Sequence, residues 1–400
     1  MTDRWTRAFL PPAAAAGAAA SLACAAPALA EPHVPDSDDV VLERLPAALV
    51  GGREELAAIR ARLAAAPGDA AAAAAAARRL IDLGSAGGGP RMYGYAEAAL
   101  APWWTDADAP ADVLRLRAKL KEIDHRYDDA AADLLALLER SPGDRQAWIE
   151  LSNIRRVQGR YVEARAASDA LAGFADGIAA LYTRTPLQAV TGELAAAAGV
   201  LERALPQVRA KLPETLPWVH IMRAQVATQQ GRADEARAIY DEALEASPGD
   251  GHLLRGYGDL LLDLGEAGAA YDLLKDGTAD NGVMLRAAIA ARETGRSHEA
   301  ERWTRQLGER FREIRLRGGE PHGRFESRHL LHLKDDPRAA LEVGLANWAN
   351  QKELRDSRNV LEAAAAAGGA AAAAPVIEFL RRHGTQDAAL ERLIAQLEAL

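Results

Sequence analysis

The sequence predicts an all-α chain, a solenoid of stacked helix-turn-helix units. Three observations carry this reading. Leu114, Arg117, Ala118, His125, Tyr127 and Ala130 are answered by Trp148, Leu151, Ser152, Gly159, Tyr161 and Ala164, each 34 positions later. A Pro-Gly-Asp triplet recurs at 67–69, 142–144 and 248–250. Alanine, leucine, arginine and glutamate dominate and β-branched residues are few, which is a helical composition. A unit of this size cannot bury its apolar face alone, so the units must stack.

Each residue of the triplet has a task between units. Proline cannot continue a helix and disfavours helix in the residue before it. Glycine accepts turn conformations that other residues avoid. Aspartate can cap the helix that follows. The triplets stand 75 and 106 residues apart, which is two and three repeats with a few residues over. The surplus has two visible homes, Gly84 to Pro90 and the proline-rich Pro206 to Pro217.

In chain order, residues 1–30 read as an export signal. Arg4 and Arg7 precede an apolar run from Ala13 to Ala26, Pro27 breaks it, and Ala28-Leu29-Ala30 gives a small-x-small cleavage pattern. The run is short for a membrane span. The alternative is a lipid anchor at Cys24, the only cysteine, in Ser21-Leu22-Ala23-Cys24. Either a periplasmic or secreted form, or a lipoprotein, is thus expected. Without Cys24 no disulfide or thiol chemistry is available. Residues 31–45 are polar and read as a linker, and 46–400 as the solenoid. A helix over 54–66 is followed by a first full unit from about residue 70, its second helix at 95–100. Units at 111–144, 145–178, 178–211, 217–250, 251–280 and 281–314 follow, with Pro186 interrupting a helix. Two weaker pairs lie at about 320–352 and 355–383, and 387–400 reads as a capping helix. Ala118, Ala130, Ala164, Ala224, Ala236, Gly258, Ala270, Ala288 and Ala300 are the small residues that let helices approach.

This pattern of a large residue, a small one, a turn, an aromatic and a second small one resembles the tetratricopeptide (TPR) repeat, over about residues 54–383. It is sharpest at 111–164 and 217–250. The resemblance implies a right-handed superhelix of about nine repeats. One departure is His125, which stands where the family has a turn glycine.

Charge and motifs exclude several function classes. The 49% hydrophobic fraction is inflated by alanine, and the net charge of −9 comes from 48 basic and 57 acidic residues that are interspersed, so no nucleic-acid footprint exists. There is no GxxxxGK[ST], HExxH, GxSxG or paired CxxC sequence. Gly87-Gly88-Gly89 lacks the strand and lysine of a phosphate loop and reads as a turn. No catalytic residue and no cofactor are expected. His329 and His332, three apart on a helix, can share a face near His322, which gives a metal-binding alternative. The arginines at 310–328 alternate with glutamates and read as a salt-bridged face. Trp103-Trp104 reads either as a plug in a shortened unit or as a partner anchor. Trp148 is expected in the core, and Trp303 and Trp348 as packing residues.

In TPR arrays the first helix of each unit lines the concave groove. By that resemblance the partner-facing residues are Arg115, Lys119, Asn153, Arg156, Tyr182, Trp218, Ile221, Gln225, Gln229, Arg255 and Asp259. Aromatics and amides among them suit an extended peptide. Asn153 is paired with Ile149 rather than lysine, so the family's carboxylate clamp is not supported. The resulting expectation is a non-enzymatic scaffold of the bacterial cell envelope that holds a protein or peptide. Its partner and oligomeric state are not legible, and membrane association follows only from lipidation of Cys24.

Overall fold

The computed structural model describes residues 53–85, 90–173, 177–316 and 321–399. The chain divides into Met1–Ala58 and Ile59–Leu400. In the first unit only the start of a helix is described. The export signal, Cys24, the 31–45 linker and Gly87-Gly88-Gly89 lie outside the described residues.

Every described element is helical. Helix α1 is Arg53–Ala65. Antiparallel pairs follow: α2 Ala70–Leu83 with α3 Pro90–Leu100, α4 Ala111–Ile123 with α5 Tyr127–Arg140, and α6 Arg145–Val157 with α7 Tyr161–Ala172. Next come α8 Gly177–Val190 with α9 Leu194–Lys211, α10 Leu216–Gln229 with α11 Ala233–Ala246, and α12 Gly251–Asp263 with α13 Ala267–Leu274. The last pairs are α14 Asn281–Glu293 with α15 Ser297–Leu316, α16 Gly323–Leu333 with α17 Pro337–Asn350, and α18 Leu354–Ala367 with α19 Ala370–Arg382, closed by α20 Ala388–Glu398. The fold is an α-solenoid of nine helix pairs and a terminal helix among the described residues.

The triplets work as punctuation. Asp69, Asp144 and Asp250 each accept hydrogen bonds from the first turn of the next helix, satisfying amides that have no helical partner. The small residues sit where helices touch: Ala118, Ala130, Ala164, Ala224, Ala236, Ala270 and Ala288 are all buried. A Cβ on Gly258 would stand 2.8 Å from the Leu274 side chain, so a larger residue between α12 and α13 requires that side chain to shift. Ser152 adds a bond at the same kind of contact, its hydroxyl donating to the Ala164 carbonyl at 2.9 Å, and Ser327 does the same to Ala340 at 2.8 Å.

Within the pairs the turns are left-handed. Gly159, Gly192, Gly231, Gly265 and Gly295 have φ between 72° and 77°. His125 occupies the equivalent place with φ 59°. A histidine there is strained, and its ring and carbonyl are held from elsewhere in the chain, as described below.

Three expectations are corrected. Pro186 does not interrupt its helix: α8 runs through it to Val190. Burial of Leu181, Leu187, Ala189 and Val190 on both sides outweighs the single lost backbone bond. Pro206 likewise lies inside α9, so the turn region is shorter than Pro206 to Pro217. Trp148 is not core. It is half-buried, its indole N–H donates to the Pro142 carbonyl at 2.8 Å, and the adjacent Ala147 takes the buried place. A wide ring suits the rim of the turn better than the helix contact. Trp303 is buried, and Trp348 is half-buried with its indole N–H on Ser357 at 3.1 Å. The carbonyls of Trp103 and Trp104 accept from Arg117 at 2.6 and 3.0 Å, which ties that stretch to α4.

Candidate functional site

The C-terminal pairs do not extend the stack away from the rest. They come back along the row of turns. The Asn350 amide donates to the His125 carbonyl at 2.9 Å, and the His125 ring meets Gln351 and, at 3.0 Å, His322. The Lys352 backbone N–H donates to the Val157 carbonyl at 2.7 Å. Phe379 packs at a tilt against Tyr161 with ring centroids 5.6 Å apart, and together with Leu354 it packs against Ala164, Leu187 and Val190. The Thr385 hydroxyl donates to the Val190 carbonyl at 2.7 Å. Ala388 lies over Gly231, and Arg358 pairs with Asp263. Turns of five successive units thus meet residues 350–388.

This closure converts the groove into a cavity of about 440 Å³. Asn153, Arg156, Tyr182, Trp218, Gln225, Gln229 and Asp259, seven of the residues expected to face a partner, line it. The first helices α6, α8, α10 and α12 supply them, which is why a repeat register locates them. Tyr182 and Trp218 pack at a tilt, with 4.6 Å between centroids and 35° between planes. The opposite wall comes from α16, α18 and α20: Arg324, Arg328, Glu353, Leu354, Arg355, Arg358 and Leu390. A single-repeat reading cannot find this wall, because its approach depends on how many units complete the turn of the superhelix.

The remaining four expected residues are elsewhere. Arg115 pairs with Asp144, Lys119 with Glu122 at 2.8 Å, and Arg255 with Asp280 at 2.6 Å. Ile221 packs on the core beneath α10. These four do not line the cavity, because ion pairs or the core take up their side chains.

The cavity wall is electrostatically organised. Asp259 accepts from Arg286 at 2.6 and 2.8 Å and from Arg328 at 2.6 Å. Burial alone would raise its carboxyl, but the Arg286 and Arg328 charges overcome that and hold it far below the usual range. Arg324 forks onto Asp356, with both bonds at 2.7 Å, and reaches Glu353 at 2.6 Å, while Arg156 meets Glu353 at 3.2 Å. Glu353 is desolvated as well, yet Arg324 and Arg156 depress its pKa. Asp259 and Gln229 thus serve the fold: Gln229 is buried and its amide donates to the Ala189 carbonyl at 3.3 Å.

The histidines are not brought together. His322 faces His125 at 3.0 Å, His329 is buried edge-on against Phe311 at 5.5 Å, and His332 faces Glu362 at 3.3 Å. Three different neighbours hold three rings, so shared helical spacing does not become shared geometry. Among the described residues no three His, Cys, Asp or Glu side chains converge to hold a metal ion. Nor is any described helix long and apolar enough to cross a membrane.

Comparison with known proteins agrees with the repeat reading. Models of the tetratricopeptide repeat match residues 124–178 and 227–289. The chain thus carries tetratricopeptide repeats in these two segments. Such repeats are interaction modules, and in that broad sense the chain is a protein-interaction scaffold, with no catalytic family indicated. No curated protein matches it. Among solved structures it is similar to PilW, a widely conserved type IV pilus biogenesis factor, with a TM-score of 0.41 and 16% identity over 49% of this chain and 91% of that one. It is also similar to a tetratricopeptide repeat protein from Parabacteroides merdae ATCC 43184 (TM-score 0.42, 14% identity, 58% of this chain and 90% of that one). A third is the APC/C hetero-tetramer Cut9-Hcn1 (TM-score 0.44, 12% identity, 77% of this chain and 58% of that chain). Likeness at this level carries no argument about function.

Proposed function

We propose that the protein is a non-enzymatic scaffold of the bacterial cell envelope that holds a protein or peptide partner in the concave groove. The observation that carries this is the convergence of Asn153, Arg156, Tyr182, Trp218 and Gln225 on one internal space. The adjoining Tyr182 and Trp218 rings offer contact area with few rotors to freeze, and the amides suit an extended backbone. Because the C-terminal pairs cover the groove, the partner engages it as a short segment or a protruding side chain rather than as a folded domain. The export pattern at residues 1–30 supports the envelope, with cleavage after Ala30 favoured over a lipid anchor at Cys24.

The test is photo-crosslinking in cells that make the full precursor. A photo-reactive side chain is placed at Trp218 and, separately, at Tyr182. Capture of one envelope protein from both positions supports the proposal. Capture of nothing, with folding and export verified, removes the groove as a partner site.

A further inference from the structure

One arginine of the cavity wall makes no direct hydrogen bond or ion pair among the described residues. The two acids nearest α12, Asp259 and Asp263, are taken by Arg286, Arg328 and Arg358. Glu353 is shared by Arg156 and Arg324. Asp387 caps α20, accepting from the Ala389 and Leu390 amides at 3.0 Å. Arg355 lines the same space and has no hydrogen bond or ion pair among the described residues. Its charge helps hold the Asp259 and Glu353 carboxyls below the usual range.

The planar guanidinium of Arg355 matches a carboxylate in two parallel bonds. Trp218, Tyr182, Met222, Leu354 and Leu390 give the same cavity an apolar lining. The volume, about 440 Å³, is that of a small-molecule site and is too small for a folded partner.

We infer that the cavity binds a small monocarboxylate with an apolar or aromatic body, its carboxylate on Arg355 and its body against Trp218 and Tyr182. This goes beyond the scaffold reading, and a partner captured or not captured from the groove leaves it standing.

Calorimetric titration of the purified chain with indole-3-acetate, 3-phenylpropionate and octanoate tests it. Indole-3-acetamide is the neutral control. At least one carboxylate is expected to bind in the micromolar to millimolar range, and indole-3-acetate more tightly than its amide. Arg355→Gln should weaken carboxylate binding about tenfold or more and leave amide binding unchanged. Arg355→Lys, which keeps the charge but loses the paired bonds, should bind acids more weakly than the parent and more tightly than Arg355→Gln, and it covers the case in which the glutamine variant folds poorly. No heat from any of the three acids, equal affinity for acid and amide, or an Arg355→Gln variant that binds acids as the parent does would each overturn the inference.

Discussion

Gly192, in the turn between α8 and α9, faces the backbone carbonyl of Gly384, in the turn after α19, so closely that a Cβ on Gly192 would clash with it. Two turns from distant parts of the chain thus meet backbone to backbone. Gly192 is a glycine for two reasons, its φ of 77° and this contact, and only the first is visible in a repeat pattern.

The two reasons separate experimentally. Gly265 has φ 73° but open space where its Cβ would stand. Gly265→Ala is expected to cost about 1–2 kcal/mol, the left-handed penalty alone. Gly192→Ala is expected to cost about 1–3 kcal/mol more, because a backbone carbonyl must also move. Urea melts of the two variants measure the difference. Equal costs would mean that the two turns do not touch in solution.

Asp259 anchors two buried arginines, and its removal leaves both without a counter-charge. Asp259→Ala is expected to destabilise by about 3–5 kcal/mol, far more than a surface pair would. Arg78→Ala, which breaks an exposed pair with Asp112, serves as the control and should cost less than about 1 kcal/mol. Denaturant unfolding of both reads this directly.

His329 gives an acid-labile contribution. Burial against Phe311, with the Lys334 charge adding, lowers its pKa to about 4, whereas the unfolded chain has the ordinary histidine value. Between those values the unfolded state binds more protons, so stability is present above pH ~6.5 and is lost as pH falls toward ~4. His329→Leu should flatten the fall in melting temperature across that window. An unchanged slope would place the acid sensitivity in other groups.

The tryptophans show how far the sequence reading reaches. Trp148 stands at a repeat position where a large residue packs, yet its ring rests on the rim with one bond to Pro142. Trp303 is buried among residues of the central core. Trp148→Phe should cost about 1 kcal/mol, the value of one hydrogen bond, and Trp303→Ala about 3–5 kcal/mol. Comparable losses in a melt would contradict these placements.

Helix existence, turn glycines and aspartate caps were legible because each is a local requirement of backbone geometry. The groove residues on α6, α8, α10 and α12 were legible because a repeat register fixes a face. Arg324, Glu353 and Arg355 were not, since their opposition to Trp218 depends on the accumulated twist of all the units between them. Pro186 misled because a local rule was outweighed by burial on both sides of it. His125 was a readable signal: a non-glycine residue in a left-handed turn marks a place where something else holds the backbone, here Asn350 and Gln351.

The closure of the C-terminal pairs over the groove creates the enclosed cavity, and one amide reports on it. Lys352 lies between helices, and its N–H has no helical acceptor; it donates to the Val157 carbonyl at 2.7 Å. Residue-resolved hydrogen exchange on the intact chain is therefore the most direct measurement. The expected result is a Lys352 amide protected to a degree similar to amides inside α18. Exchange at the rate of an unstructured segment would show that the C-terminal pairs stand away from the turns and that the groove is open.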